Sequence, residues 1–297
     1  MRGYLAQKRY LARIRLLLAL LICISTIITF GGYCHCSMGN WLNQYRFQSY
    51  IILLIAAAVA FLHRFWTYGG AALLLAVVNF LTISSAVSIV SSDSGDGYRV
   101  NLVYQWQPAW PQATLQAAAR QGAGIVVAVG NRQDAEQPIF AKEGYFIPQG
   151  FGRNFIAADL PADMAGQINF PRRAHAVFSQ IPYSEGTVLL IGLDLSEMSR
   201  AETVESLTRL GDFIAGGSGV PVLVIGNFNL AAWDEEFGRF LEKSQLEVKN
   251  TLLDHWSNLL MPPHFYILGH RSAGVLSQRK LPRGSNPHSP YLYELKI

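Results

Sequence analysis

The placement of charged residues divides this chain into two parts of opposite character. Residues 1–91 contain seven Lys and Arg side chains and no Asp or Glu. The rest of the chain carries 17 Lys and Arg against 20 Asp and Glu, a net charge of −3. A protein that binds nucleic acid needs positive charge on the surface that meets the phosphates. We therefore expect no nucleic-acid partner, because the excess positive charge lies in the N-terminal part.

Three apolar stretches occupy the N-terminal part, at about residues 16–32, 50–65 and 70–90. A membrane-spanning helix needs about 20 mostly apolar residues. We therefore predict a membrane region over residues 1–90 with three transmembrane helices, the lipid bilayer being their first partner. A cleaved signal peptide is the alternative for the first stretch, but no suitable cleavage site precedes Tyr33 and two more stretches follow.

Five of the first fifteen residues are Lys or Arg, which favours a cytoplasmic N-terminus by the positive-inside rule. Three spans would then place the rest of the chain outside. We expect a bacterial inner (cytoplasmic) membrane protein with a periplasmic or otherwise extracytoplasmic domain. Residues 91–97, all Ser, Asp or Gly, are predicted to form the linker, and residues 98–297 the outer domain.

The three cysteines all lie in the membrane region, and two of them, Cys34 and Cys36, flank a histidine. This Cys-His-Cys sequence could contribute to a metal site or a redox pair. The alternative is a loop pair without such a role, because a zinc site needs more ligands and a C-x-C disulfide closes a strained ring. We predict no bound cofactor and no metal.

Apolar patterning over residues 98–297 predicts alternating strands and helices. Strands are predicted at residues 99–106, 124–129, 174–178, 187–195, 222–225, 264–269 and 291–296, and helices at 112–120, 200–215 and 233–243. This mixture predicts an α/β four-layer sandwich, in which two packed mixed β-sheets are flanked by helices.

The apolar run 222–225 is followed by Gly226-Asn227-Phe228-Asn229. This sequence resembles the GDFN strand-to-loop motif of the endonuclease/exonuclease/phosphatase superfamily. The order of predicted elements over residues 98–297 is similar to that of the superfamily, and several similar members carry three N-terminal spans. The resemblance implies the same four-layer sandwich and a possible phosphoesterase site.

Phosphodiester hydrolysis requires a cation on the phosphoryl oxygens, a base that activates water, and donors that stabilise the transition state. The resemblance implies where these groups should lie. A carboxylate at the end of the second strand would hold Mg²⁺, and a His oriented by an Asp would transfer the proton. The Asp and Asn of the GDFN motif would position the nucleophile and the phosphate, with help from an Asn on the first strand.

This chain departs from that pattern at most of its charged positions. Tyr104 stands near the Asn position of the first strand, Gly130 replaces the metal carboxylate, and Asn227 replaces the motif Asp. Pro263 and Pro287 stand at the acids that orient or position the base. Proline can neither accept a proton nor orient an imidazole, so the remaining activity should be small.

Five residues remain as candidates for a remnant cleft: Asp194, Asn227, Asn229, His264 and His288. Asp194 stands where a His is implied, whereas Asn229 matches the motif. Four histidines in the last 43 residues, at positions 255, 264, 270 and 288, could instead form a zinc site. The alternative is that they are rim histidines, because no short His spacing occurs. Arg172 and Arg173 could hold a phosphate or be a solvated pair.

We therefore predict a membrane-anchored, non-catalytic protein with a superfamily-like domain, acting as an accessory or structural subunit of a membrane complex with integral membrane partners. The alternative is a Mg²⁺-dependent phosphoesterase with a rearranged site, for which Asp194 is the one acid that the motifs offer. Asn79, an amide near the middle of the third apolar stretch, is predicted to contact another helix of this chain or of a partner.

Overall fold

The computed structural model describes residues 2–31, 42–86, 98–106, 111–130, 154–160, 162–171, 175–183, 186–217, 219–250, 264–270, 273–282 and 289–296. These residues form two compact units. The helical unit contains the described residues up to Ala86 together with Ala231–Asp234, and the sandwich unit contains the others.

Three helices make up most of the helical unit: α1 (Arg2–Gly31), α2 (Arg46–Leu62) and α3 (Trp66–Ala86). Small side chains dominate the surfaces on which they pack. The buried core contains Leu18, Leu53, Ala56, Ala57, Ala60, Phe65, Ala72 and Ala76. Alanines at these positions let the helix backbones approach closely.

Two helices are long and apolar enough to cross a membrane, Gln7–Gly31 and Trp66–Ala86. Helix α2 is apolar but has 17 residues, which corresponds to about 26 Å of helix. The hydrocarbon core of a bilayer is about 30 Å thick. The prediction of three spanning helices is therefore not confirmed, because the middle stretch forms a helix that is short for a span.

The sandwich unit contains two mixed β-sheets and three helices. In chain order its elements are β1 (Arg99–Trp106), α4 (Pro111–Arg120), β2 (Ile125–Val129), β3 (Phe155–Ala158), β4 (Met164–Asn169), β5 (His175–Tyr183), β6 (Gly186–Asp194), α5 (Arg200–Ala215), β7 (Val222–Asn227), α6 (Glu235–Ser244), β8 (Glu247–Val248), β9 (Phe265–Gly269), β10 (Gly274–Lys280) and β11 (Tyr291–Lys296). The sheet orders are β10-β11-β1-β2-β3 and β4-β5-β6-β7-β9-β8.

Two parallel pairs lie inside these sheets, β1 with β2 and β6 with β7, and the other pairings are antiparallel. One apolar core joins the two sheets, with Leu102 and Val127 from the first sheet meeting Leu190 and Ile225 from the second. Ala118 of α4 packs with residues of β1, β2 and β3 in a second cluster.

Helix α5 covers the second sheet, where the Phe213 ring lies 5.0 Å from the Phe178 ring of β5. Helix α6 does the same through Phe237, whose ring lies 5.0 Å from Tyr266 of β9. Helices therefore flank both sheets, and the predicted architecture of two packed mixed sheets with helices is confirmed.

Four strands were not predicted: β3, β4, β8 and β10. Strand β4 is largely exposed, and β10 is exposed over its second half, so neither shows the apolar alternation of a half-buried strand. Helix α6 begins at Glu235 rather than at the predicted residue 233, because Ala231–Asp234 belong to the helical unit. The predicted linker, residues 91–97, lies outside the described residues.

Candidate functional site

Three of the sequence positions singled out above lie at one edge of the sandwich, where the parallel strands end. Asp194 ends β6 and is in register with Asn227, which ends β7. Trp106 ends β1, and Gly130 directly follows β2. The indole nitrogen of Trp106 donates to Asp194 Oδ2 at 3.3 Å and so joins the two sheets. We call this region the carboxyl edge.

Asp194 is the carboxylate that ends β6 at this edge, and the charge of the exposed Glu197 also acts on it. Its Oδ1 accepts a hydrogen bond from the Ser196 N–H at 3.1 Å, and its Oδ2 accepts the bond from Trp106. Burial raises the pKa of Asp194 above its ordinary value, and these hydrogen bonds oppose that rise. Both carboxylate oxygens are therefore already acceptors inside the protein.

Tyr104 occupies the space opposite Asp194. Its side chain is 4% exposed, and its ring centroid lies 4.3 Å from that of Phe265. The hydroxyl group has no hydrogen-bond partner among the described residues. Burial, and next the charge of Asp194, raise the pKa of Tyr104 well above its ordinary value, so the phenol stays protonated.

Further aromatic rings continue from Tyr104 along the inner face of this edge. Phe265 lies 6.4 Å from Tyr293, and Tyr293 lies 6.3 Å from Tyr291. Trp106, Phe265 and Tyr291 pack against the apolar core that joins the sheets. Aromatic rings therefore occupy the inter-sheet volume beside Asp194 and Asn227.

Gly130 takes the position at which a metal carboxylate is implied. Its φ is +70°, a left-handed conformation that favours glycine and penalises residues with a Cβ. Its N–H donates to Asn154 Oδ1 at 2.8 Å. The residue before it, Val129, is fully buried in the apolar core. The end of β2 therefore serves packing and turn geometry and offers no acid.

The glycine of the Gly-Asn-Phe-Asn sequence has a packing role. A Cβ at Gly226 would lie 1.9 Å from the carbonyl oxygen of Leu193 on the neighbouring strand, so a side chain cannot be accommodated there. Asn227 forms a turn, since its Oδ1 accepts the Asn229 N–H at 3.0 Å. Its carbonyl accepts the Leu195 N–H at 2.9 Å and so bonds the residue that follows β6.

Asn229 uses its side chain to fix this loop to the start of α5. Its φ is +55°, a conformation that Asn tolerates better than most residues. Its Nδ2 donates to the Met198 carbonyl at 2.8 Å and to Thr203 Oγ1 at 3.3 Å. Helix α5 itself begins with a capping box formed by Ser199 and Glu202. The Gly-Asn-Phe-Asn sequence therefore has a structural role, since it connects the end of β7 to the start of α5.

His264 lies directly before β9, and its imidazole hydrogen-bonds the backbone of Leu230. Its own carbonyl accepts the Phe228 N–H at 2.7 Å. Burial lowers the pKa of His264, opposed by the bond to Leu230. Within the described residues no hydrogen bond joins His264 to Asp194, so the two do not form an acid-base pair here.

His270 lies at the other end of β9. A strand of this length separates the two histidines by roughly 20 Å, so a zinc site cannot use both. His270 instead lines a pocket of about 240 Å³ with Leu189, Lys243 and Gln245. Burial, and next the charge of Lys249, lower the pKa of His270.

The remaining positions lie outside the described residues. They are His255, Pro263, Pro287, His288, the pair Arg172 and Arg173, and the pair Cys34 and Cys36. Their predicted roles stay predictions.

The described part of the carboxyl edge does not fit Mg²⁺. This ion prefers several oxygen ligands in an octahedral arrangement. Across the part of the chain that the structure describes, no group of three or more His, Cys, Asp or Glu side chains could hold a metal ion. The edge supplies Asp194, whose oxygens already accept hydrogen bonds.

Sequence reasoning missed the aromatic residues that fill this edge. Trp106 and Phe265 come from strands about 160 positions apart, and Tyr291 and Tyr293 come from the last strand. Their signal was present as aromatic side chains at strand ends, but only the register of the sheets brings the rings together.

Comparisons with known proteins support the fold and no more. No known family profile matches the sequence, and no curated protein sequence matches it. Many solved structures do match the chain, and two of them have TM-scores of at least 0.50. The human Nocturnin catalytic domain, with a bound sulfate anion, is 15% identical over 72% of this chain and 98% of that chain, with a TM-score of 0.51.

The endonuclease/exonuclease/phosphatase protein from Beutenbergia cavernae is 11% identical over 67% of this chain and 72% of that chain, with a TM-score of 0.50. At such identities the likeness establishes the fold alone. The sandwich unit of this chain therefore has an endonuclease/exonuclease/phosphatase-type fold, as the Gly-Asn-Phe-Asn motif and the element order indicated.

Proposed function

We propose that this protein is an integral membrane protein whose endonuclease/exonuclease/phosphatase-like sandwich is non-catalytic and serves as an accessory or structural subunit of a membrane complex. The observation that carries the proposal is the composition of the carboxyl edge. One partly buried carboxylate, Asp194, lies there beside aromatic rings, and Gly130 stands at the position of the implied metal ligand.

The charges at the carboxyl edge do not suit the hydrolysis of a phosphodiester. A phosphodiester brings negative charge, which needs a cation or several donors to balance it. Asp194 carries negative charge when it is ionised, and Tyr104 is shielded by Phe265. Loss of a general base alone typically lowers a rate by ~10²–10⁴, and here the metal ligand is replaced as well.

The distribution of side chains in the helical unit supports a membrane location. Large apolar residues face outward: Leu16, Leu17, Leu20, Ile24, Ile27, Phe30, Ile55, Leu62, Leu73, Leu74, Val77 and Leu81 are all more than two fifths exposed. Polar residues are buried instead, among them Ser25, Thr29, Ser49 and Asn79. An exposed apolar surface of this size suits lipid.

We propose that α2 also crosses the bilayer, with local thinning compensating its short length. The N-terminus would then be cytoplasmic, because of its five basic residues, and the sandwich would lie outside the inner membrane of a bacterium.

Cysteine labelling tests this topology. In a variant without native cysteines, Ser277→Cys on the exposed part of β10 should react with a membrane-impermeant thiol reagent in whole cells. Arg9→Cys on α1 should react only after lysis. The opposite pattern would reverse the orientation, and labelling of both positions before lysis, or of neither, would contradict three spans.

The buried amide of Asn79 does not require a partner protein. Asn79 Nδ2 donates to Thr29 Oγ1 of α1 at 2.7 Å, so the contact predicted for this amide lies within the chain. Two observations support a complex. The sandwich keeps its fold although the implied catalytic acids are replaced, and the chain has more apolar helices than are needed to anchor one domain. Docking needs a folded surface and no catalytic carboxylate.

Size analysis of the natively expressed protein in mild detergent tests the subunit proposal. We expect a particle larger than one protomer with its micelle, containing a second membrane protein in fixed stoichiometry. The same analysis after stronger detergent provides the control, because it should release the lone chain. A lone protomer under mild conditions would refute the role as a subunit.

A further inference from the structure

A small pocket lies at the end of the second sheet that is opposite to the carboxyl edge. It has a volume of about 240 Å³ and lies between the last turns of α5 and α6 and the start of β7. A pocket of about 460 Å³ adjoins it, since Gln245 and His270 line both. The buried side chains of Leu189, Ile214 and Val222 form an apolar wall in the smaller pocket. Sites for small ligands combine such a wall with a few polar groups that converge on the ligand.

His270 is the first of these polar groups, and it offers a hydrogen-bond donor. Its Nδ1 accepts the Val222 N–H at 3.4 Å. A ring nitrogen that accepts carries no proton, so the neutral imidazole has its proton on Nε2. Burial, and next the charge of Lys249, lower the pKa of His270, so the ring is neutral at pH 7. Among the described residues no hydrogen bond engages Nε2 of this ring.

Lys243 brings a positive charge to the same pocket. Its side chain lies against α5, since a Cβ at Gly211 would come within 3.3 Å of Lys243 Cδ. Its Nζ pairs with Asp212 at 2.5 Å, but the two side chains are 41% and 64% exposed, and exposed ion pairs contribute little to stability. The ammonium group can therefore exchange this partner for a ligand. None of the described residues that line the smaller pocket is Asp or Glu, because Glu247 lines the larger pocket and pairs with Lys249.

Gln245 lines both pockets and has a backbone conformation that favours glycine. Its φ is +55°. Its N–H donates to the Glu242 carbonyl at 3.3 Å, and the Leu246 N–H donates to the Leu241 carbonyl at 3.1 Å. This pair of bonds commonly ends a helix, and the left-handed residue within it is usually glycine. Glutamine there costs stability, yet its side-chain amide makes no hydrogen bond to the described residues. A strained residue whose side chain has no partner within the fold points to a binding role.

We propose that this pocket binds a small ligand that carries an oxyanion, a carboxylate or a phosphate, on a short apolar chain. The Lys243 ammonium, His270 Nε2 and the Gln245 amide donate to the oxyanion, and the apolar wall contacts the chain. The volume of about 240 Å³ is below the roughly 300–1,000 Å³ of sites for drug-sized ligands, so the ligand has few heavy atoms. The pocket lies at the other end of the sheet from Asp194, so this inference holds whether or not the carboxyl edge is catalytic.

Nuclear magnetic resonance of the histidine-labelled, full-length protein in mild detergent tests the site. The chain contains seven histidines, and the signal that disappears in His270→Asn identifies the ring in the pocket. Butyrate and butyl phosphate carry the same apolar chain, so they separate the two oxyanions, and 1-butanol is the uncharged control. At constant ionic strength, butyrate, butyl phosphate or both should shift the His270 signal to saturation with a Kd of about 1 mM or below. The alcohol should leave the signal in place.

The charge of Lys243 is tested in the same titration. Lys243→Gln should weaken binding of the anion about tenfold, because a hydrogen bond to a charged group is lost. Lys280→Gln, at the exposed end of β10, is the matched control and should bind as the natural chain does. The proposal would be overturned if neither anion gave a saturating shift up to about 10 mM, if 1-butanol gave an equal shift, or if Lys243→Gln bound the anion normally.

Two substitutions at Gln245 separate binding from stability. Gln245→Gly should raise the Tm by about 2–4 °C, because glycine relieves the backbone strain, and should weaken binding of the anion about tenfold, because the amide is lost. Gln245→Ala removes the same amide but keeps the strained backbone, so it should weaken binding equally without a gain in Tm. Normal binding in both variants, or a Gln245→Gly variant no more stable than Gln245→Ala, would contradict the role given to this side chain.

Discussion

The helical unit and the sandwich unit differ in the side chains that they bury. In the sandwich, leucine, isoleucine, valine and aromatic residues fill the space between the sheets. In the helical unit, alanine, serine, threonine and asparagine make up much of the interior beside Leu18, Leu53 and Phe65, while many leucine and isoleucine side chains face outward. The same amino-acid types therefore contribute differently to stability in the two units.

The difference follows from the surroundings that each unit suits. Removal of apolar surface from water stabilises the sandwich. Lipid tails offer no such gain between helices, so close packing of small residues and buried hydrogen bonds stabilise a membrane bundle instead. Variants at matched positions in the two units test this difference in stabilisation.

The largest effect is expected from truncation in the sandwich. Phe228 is fully buried, with ring contacts to Phe237 at 5.3 Å and Tyr266 at 5.9 Å. Phe228→Ala should lower the free energy of unfolding by about 3–5 kcal/mol, measured by thermal or denaturant unfolding in detergent. Leu74→Ala on the outer face of α3 is the control, and an equal loss there would contradict the lipid-facing assignment.

A smaller loss is expected from the polar interior of the helical unit. Asn79→Ala removes the hydrogen bond to Thr29 and should cost about 1–2 kcal/mol, seen as a lower Tm in detergent. The matched control is Ser85→Ala, because the Ser85 hydroxyl bonds only the Thr82 carbonyl of its own helix. If Asn79→Ala raised the Tm, the buried amide would be a liability and not part of the packing.

The smallest effect concerns the pH dependence that Asp194 brings to the sandwich. Since burial raises its pKa in the folded state, the folded protein holds this proton to higher pH than the unfolded chain. The contribution of Asp194 to stability therefore falls as pH rises from about 4 through the raised pKa. The unfolding free energy of the natural chain minus that of Asp194→Asn should therefore decrease, toward more negative values, over that interval. If the natural chain instead gained stability relative to Asp194→Asn as pH rises, the carboxylate would be stabilised in its charged form.

The sequence predicted the elements that are buried on both faces more completely than those at the edges. Strands β2 and β7 are continuous apolar runs and were found, whereas β4 and β10 lie at sheet edges and carry mixed side chains. Strand β3 is also an edge strand and was missed although it is fully buried, because it has only four residues. The predicted start of α6 was early for a different reason, since residues 231–234 are held by the other unit.

The candidate site, too, was predicted only in part from the sequence. Local departures such as Gly130 and Asn227 could be named from the motif, because they lie at fixed positions next to recognisable strands. The contact of Tyr104 with Phe265 and the bond of Trp106 to Asp194 depend on how two sheets meet. No periodic pattern in the sequence encodes how the two sheets pack, so only the structure shows that aromatic rings fill the carboxyl edge.

The most direct test of the central claim is hydrolysis by the purified full-length protein. DNA, a generic phosphodiester and a phosphoinositide would each be supplied with Mg²⁺, Mn²⁺ or Zn²⁺, and Asp159→Ala at an exposed position would serve as the matched control for Asp194→Ala. The account predicts turnover below ~1 s⁻¹, the low end for ordinary enzymes, and the same background in both variants. Turnover above that value that falls in Asp194→Ala or His288→Ala, and not in Asp159→Ala, would contradict it and establish a metal-dependent phosphoesterase with a rearranged site.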